Sequence, residues 1–351
     1  MGCEYGKWEK SMFGQTREGI VVEEYMLINK NGLMAKVLTY GGIIRELWVP
    51  NKNGRYVDIV LGYNTLEEYE KNPGFLGTIV GRFANRIAFG RFKIDDVTYQ
   101  LALNDRGRPN ALHGGNMGFH KKVWKANVST TPEGVKLTLM HLSHDGDEGY
   151  PGNMEVTVIY TLTNENEFKI EYFATTDKPT IVNLTQHTYF NLSGGGKIYQ
   201  HIVSINADRY TPVNEYLIPT GEIVSVENTP FDLRKPTKLE EAISRFANTN
   251  AKGFDFNYVL NDNFAASVEE RTKGIRMEVY TTQPGIQFYT GNYLPGLRGK
   301  YGQIYDQHTG FCLETQHFPD SPNHKNFPNT ILRPGEIYKH CTTFKFSTLD
   351  D

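Results

Sequence analysis

Glu314 stands in the stretch GFCLETQHFPDSPNH, residues 310–324, directly after the apolar run Phe311-Cys312-Leu313. A carboxylate inside a buried strand is costly unless it is paired, neutralised or held for chemistry. Read with a period of two, Cys312, Glu314 and Gln316 share one face of that strand. The same reading of IVNLTQHTYFNLSG, residues 181–194, puts Asn183, Thr185, His187, Tyr189 and Asn191 on one side. Val182, Leu184, Gln186, Thr188 and Phe190 fall on the other. In TTQPGIQFYTGN, Gln287 and Tyr289 lie opposite Ile286 and Phe288. Singly, each segment also reads as an ordinary packed strand. Together they offer a carboxylate, an imidazole, amides and phenols, the hydrogen-bonding set for a polyhydroxylated ligand in a wet cleft.

Two more stretches join them. GRFANRIAFG carries Arg82, Asn85 and Arg86 among apolar residues, an anion or hydroxyl clamp or else a solvated strand. NALHGGNMGFHKKVW sets His113 before paired glycines, where a loop can pass close to a ligand or simply turn. Other chemistries lack their signatures: there is no P-loop, Rossmann glycine fingerprint, CxxC, HExxH or GxSxG. His308, Glu314 and His317 are metal-ligand types, but Glu314 and His317 fall on opposite faces of one strand. No metal site is expected.

These residues need rigid elements to aim them, and the rest of the chain reads as strands. GLMAKVLTYGG, RYVDIVLGY, GRFKIDDVTYQLAL, VKLTLMHLS and MEVTVIYTLTNENEFKIEYFATT are rich in β-branched and aromatic residues in partial alternation. Asn31-Gly32, Asn53-Gly54, Pro132-Glu133-Gly134 and Asn164-Glu165-Asn166 supply turn chemistry between them. One short helix is predicted, KLEEAISRFAN from Lys238, with Leu239, Ile243 and Phe246 on one side. Strands without alternating helices predict an all-β antiparallel sandwich in one domain, residues 1–351.

Net charge is -3 with a pI near 6.4, which leaves no basic footprint for nucleic acid or an anionic membrane. Three cysteines (Cys3, Cys312, Cys341) argue against a disulfide framework and for a reducing, cytoplasmic setting, where the sequons at Asn127, Asn183 and Asn191 carry no sugar. No apolar run has the length of a membrane span, and the N-terminus lacks a signal-peptide core. Gly2-Cys3 leaves an acylation site open, with Gly6 where such sites carry Ser or Thr.

The chain resembles the aldose 1-epimerase (galactose mutarotase) family. The resemblance is carried, in the family's order, by GRFANRIAFGRF, LHGGNMGFHKKVW, DGDEGYPGNMEVTVIYTLT, NLTQHTYFNLSG, YTPVNEYLIPTGEI, FDLRKPT, GFDFNYVL, TTQPGIQFYTGN and CLETQHFPDSPNHKNFPNTILRPGEIYKH. It implies a large β-supersandwich with an open cleft, and interconversion of the α and β anomers of free hexoses such as galactose and glucose. It further implies Glu314 as general base, His187 as general acid and His113 as a second active-site histidine. Asn85, Arg86, Asp255 and Gln287 match substrate-binding positions. Two departures stand out: Phe256 follows Asp255 where the family often has His, and Gln283 replaces a frequent Glu.

Mutarotation moves one proton off the anomeric hydroxyl and another onto the ring oxygen, so a base and an acid suffice and no cofactor is implied. The partner is a small aldohexose, and the protein is a monomer or homodimer. A non-catalytic sugar-binding protein would need no acid–base pair. A glycoside hydrolase normally uses two carboxylates, and a hexose 6-phosphate epimerase would want extra arginines at the cleft mouth.

Overall fold

The computed structural model describes residues 5–349, so the Gly2-Cys3 pair lies outside the described residues. Its regular structure is mostly sheet, and every pair of neighbouring strands is antiparallel. The largest sheet has nine strands, in spatial order 125–131, 134–143, 154–163, 167–176, 338–348, 275–281, 264–270, 202–205 and 237–238. A five-stranded sheet is built from the first part of the chain, residues 7–15, 21–28, 34–38, 44–50 and 56–58. A second five-stranded sheet, ordered 224–225, 209–210, 255–259, 285–289 and 312–316, carries the polar strands singled out above.

Local sequence explains most of this. The four turn signals all close hairpins between neighbouring antiparallel strands. Gly32 and Gly54 take φ of 90° and 73°, values a side chain rarely tolerates. The alternating strands bury one face, as Glu167–Thr176 does with Phe168, Ile170, Tyr172 and Ala174. One contiguous apolar cluster runs from Tyr25 through Leu137, Val158, Phe168 and Phe288 to Phe346, gathering the inner faces of all three sheets.

The predicted helix exists but is short, Leu239–Ser244, with Phe246 buried just beyond it. A second helix, Leu66–Lys71, was not expected from the sequence. Thr65 and Glu68 form a capping box, the T-x-x-E signature of a helix start.

The stretch 181–194 departs from expectation. It is not one strand: Thr180–Ile181 and Thr185–Gln186 form two short strand segments, Asn183 and Phe190 make isolated bridges, and residues 181–192 are all buried. Its backbone instead threads between sheets and bonds outward, His187 N–H to the Thr78 carbonyl and Phe190 N–H to that of Phe311. Asn183, Thr185 and Asn191 therefore face no wet cleft. Asn183 Nδ2 donates to the His317 carbonyl, Thr185 Oγ1 to that of Thr315 and Asn191 Nδ2 to that of Thr309.

Arg82 is likewise structural. It is 2 % exposed and donates to main-chain oxygens of Ser143, His144, Pro151 and Gly152 and to Ser143 Oγ, all between 2.7 and 3.0 Å. It clamps the 143–152 loop instead of a ligand.

Candidate active site

Three neighbouring strands form the floor. Register pairs Asn257 with Gln287 and Gln287 with Glu314, and pairs Asp255 with Tyr289 and Tyr289 with Cys312. Period-two alternation then sets Asp255, Gln287, Tyr289, Cys312 and Glu314 on one face. Phe256, Tyr258, Ile286, Phe288 and Leu313 point the other way, into the core. Phe256 packs against the rings of Phe231 and Phe246, with centroids at 4.6 and 5.8 Å. The departure from the family at that position thus never reaches the cleft. Behind Glu314, Thr315 shares a 2.6 Å hydroxyl contact with Thr342 of the nine-stranded sheet, which fixes the strand against its neighbour.

The cleft holds about 340 Å³, in the range of small-ligand sites, and Asn85, Arg86, His113, His187, Asp255 and Glu314 all line it. Gln287 reaches it through Asp255, donating from Nε2 to Oδ1 at 2.9 Å. Of the seven site residues the family resemblance implies, six therefore line this one cleft and Gln287 touches it through Asp255, whereas Arg82, Asn183, Thr185 and Asn191 stay outside it.

His187 is held by its ring faces. Tyr189 stacks on one side at 5.1 Å and Phe75 on another at 5.9 Å, while Tyr189 Oη ties itself to the Gly74 carbonyl at 2.9 Å. Its Nε2 lies 3.6 Å from Glu314 Oε1. That carboxylate oxygen has no hydrogen-bond partner, and neither does Gln287 Oε1. Buried acceptors left open in a cleft await donors from a ligand. Burial pushes the Glu314 carboxyl well above the usual carboxylate range, helped by Asp255 and opposed by Arg86. Burial also lowers His187 to about 4. The two shifts act together, widening the pH range over which the pair holds a single shared proton.

His113 is locked differently. Asn85 and His113 both sit in left-handed backbone, φ 65° and 49°. Each donates its main-chain N–H to the other residue, His113 N to the Asn85 carbonyl and Asn85 N to His113 Nδ1, both at 3.0 Å. Strain of this kind, on the order of 1–3 kcal/mol per residue, persists where the surroundings over-determine it. Gly114 follows because a Cβ there would sit 1.9 Å from the Gly81 carbonyl oxygen.

Ligand atoms of His113, His187 and Glu314 lie within 4.8 Å of one another, a set that resembles a metal site. The Asn85 N–H argues against it. With Nδ1 committed as an acceptor, neutral His113 carries its proton on Nε2, so that nitrogen has no lone pair for a metal. His113 is instead a fixed neutral donor, and burial holds it well below its ordinary pKa.

Arg86 Nε donates to Asp105 Oδ2 at 2.7 Å, and Arg108 and Asn110 hold the same carboxylate. Asp105, Phe75 and Tyr289 are site residues that sequence reading did not assign. Asp105 gave no signal apart from its turn-like NDRGRPN context, while Tyr289 sat in plain view on the Gln287 face. His317 lies off the cleft, as its strand position predicts, bonded through Nδ1 to Gln283 Oε1 at 2.8 Å.

A family model described as aldose 1-epimerase matches residues 23–345. Galactose mutarotase of Bos taurus is 46% identical over 345 residues, covering 96% of this chain and 98% of the relative. Aldose 1-epimerase of Escherichia coli K12 is 37% identical over 329 residues, covering 91% and 94%. Among solved structures, galactose 1-epimerase from Lactobacillus acidophilus superposes with a TM-score of 0.87 at 31% identity, covering 98% of this chain and all of that one. With such matches running nearly end to end over a sandwich whose cleft gathers a carboxylate and two histidines, the chain belongs to the aldose 1-epimerase family and has its activity, the interconversion of an aldose's anomers.

Proposed function

We propose that the cleft takes a free aldohexose, galactose or glucose, and that Glu314 and His187 move the two protons of ring opening. The observation that carries this is the 3.6 Å pair with one open carboxylate oxygen. In one direction Glu314 takes the proton of the anomeric hydroxyl while His187 gives one to the ring oxygen, and the ring opens to an aldehyde. Rotation about C1–C2 and reclosure deliver the other anomer. The pair then holds its proton on the opposite partner, so reversal exchanges the roles of acid and base.

His113, with its proton on Nε2, donates to the oxygen on which charge develops. Asn85, Arg86, Asp255 and Gln287 hold the distal hydroxyls and leave C1 free to turn. The cationic groups at the mouth already have acceptors, which favours a neutral sugar over a phosphorylated one. Arg86 and Arg108 share Asp105, and Arg106 donates to the Pro73 carbonyl. We take residues 1–351 to work as one domain, because a single apolar cluster joins the sheets. We also place the chain in the cytoplasm, in keeping with the free thiols Cys312 and Cys341. Among the described residues, no helix is long and apolar enough to cross a membrane.

Polarimetry on freshly dissolved α-D-galactose, beside glucose 6-phosphate, is the test. Faster relaxation of galactose to an unchanged final rotation, with little gain for the phosphate, is expected. A larger gain for the phosphate would sink the free-hexose assignment.

The pH dependence has a definite sign. The singly protonated pair is the working form. Lowering pH through about 4 adds a second proton, to His187, and the rate should fall there. Raising pH through the elevated Glu314 value strips the shared proton, and the rate should fall again. A bell-shaped profile is expected, its acid limb near pH 4 and its alkaline limb at the raised Glu314 value, and a rate independent of pH after background subtraction would refute the pair.

A further inference from the structure

His187 transfers a proton only if Nε2, and not a ring carbon, faces Glu314. Its stacking partners, Phe75 and Tyr189, grip the faces of the ring and fix its plane. They cannot choose between two orientations related by a half-turn about the Cβ–Cγ bond. That half-turn would exchange Nδ1 with Cδ2 and Nε2 with Cε1, leaving a carbon toward the carboxylate. Something at the Nδ1 edge must decide.

Cys312 stands there. Its Sγ lies 3.5 Å from His187 Nδ1, and thiol and imidazole are 0 % and 4 % exposed. Cys312 is two residues before Glu314 on the same strand face, so one rigid strand carries both the proton partner of Nε2 and the contact at Nδ1. At the other edge, Nε2 lies 3.6 Å from Glu314 Oε1, the partner with which it shares a proton. Because Nε2 must accept that proton, the neutral ring carries its own proton on Nδ1, where the sulfur accepts it, and the lone pair is left on Nε2.

We infer that Cys312 is a positioning residue for the epimerase reaction, its sulfur selecting the Nδ1–H tautomer and ring orientation that present Nε2 to Glu314 and the sugar. Sulfur suits the task because burial keeps the thiol neutral. A carboxylate at the same place would raise the basicity of His187 and hold the shared proton on the ring. A thiol is a weak acceptor and orients the ring without trapping that proton.

This inference rests on His187 being a proton-transfer group, so His187→Gln is measured alongside Cys312→Ala and Cys312→Ser. In Cys312→Ala, kcat should fall about threefold to tenfold, the worth of one neutral hydrogen bond, with KM within about twofold. Cys312→Ser restores an acceptor of similar size and should recover most of the loss. 15N spectra of histidine-labelled protein, with His187 assigned by its disappearance in His187→Gln, should show Nε2 unprotonated in wild type and Cys312→Ser. A second tautomer should appear in Cys312→Ala. An unchanged kcat in Cys312→Ala overturns the inference. So does a loss accompanied by an unchanged His187 tautomer, which would mean packing alone. Full activity in His187→Gln would instead remove the proton-transfer reading beneath it.

Discussion

Glu314→Gln is expected to lower kcat by about 10²–10⁴-fold, the usual contribution of one positioned proton-transfer group, while KM changes little. Gln keeps the shape and can still accept a hydrogen bond, so what it removes is the capacity to take the anomeric proton. His187→Gln should lose a comparable amount, because each group works only with its partner 3.6 Å away. The double variant should then be scarcely worse than the poorer single one, since groups that act as a unit are non-additive.

Stability provides the control. A carboxyl whose folded pKa is raised contributes stability that is fully present below its unfolded pKa and lost as pH rises through the folded value. Gln carries no such penalty, so Glu314→Gln should unfold at a higher temperature than wild type at neutral pH. The two proteins should converge in acid. An inactive variant that is also less stable at neutral pH would point to damage to the fold and against the assigned role.

The second large effect is on the fold itself. Arg82→Met should destabilise the protein by about 3–5 kcal/mol, the scale for removing one partner of a buried charged network. The guanidinium has no carboxylate against it. It is satisfied by main-chain carbonyls and the Ser143 hydroxyl, and burial lowers its pKa only to about 10, so it stays charged at neutral pH. Met fills the space but leaves those buried carbonyls without a donor. Urea unfolding would measure the loss, and a decrease under about 1 kcal/mol would mean that the carbonyls find other donors. Activity should suffer indirectly. Asn183 N–H donates to the Arg82 carbonyl at 2.9 Å, and Asn85 and Arg86 follow immediately along the chain, so the clamp also steadies the segment entering the cleft.

Much of this protein can be read from its residues alone. Period-two alternation in Cys312–Gln316 and Gly285–Tyr289 determined which side chains share the site face, because a regular strand leaves no other choice. The Asn-Gly and Pro-Glu-Gly turns determined the hairpins, since few other residues accept their backbone angles. Length, charge and missing motifs narrowed the chemistry, and the ordered motifs of the family did the rest.

The same rule failed over residues 181–194, where the backbone bonds in many directions and alternation no longer maps onto faces. There only His187 and Tyr189 reach the cleft. Tertiary structure alone decided that Arg82 clamps a loop while Arg86, four residues on, meets the cleft, because which carbonyls approach a guanidinium depends on chain segments about sixty residues away. It alone set the reciprocal Asn85–His113 lock, which joins two loops 28 residues apart and fixes a tautomer. Local patterns specify directions along a chain. The proton on an imidazole is set by what touches its two nitrogens, and for His113 and His187 those contacts come from elsewhere in the sequence.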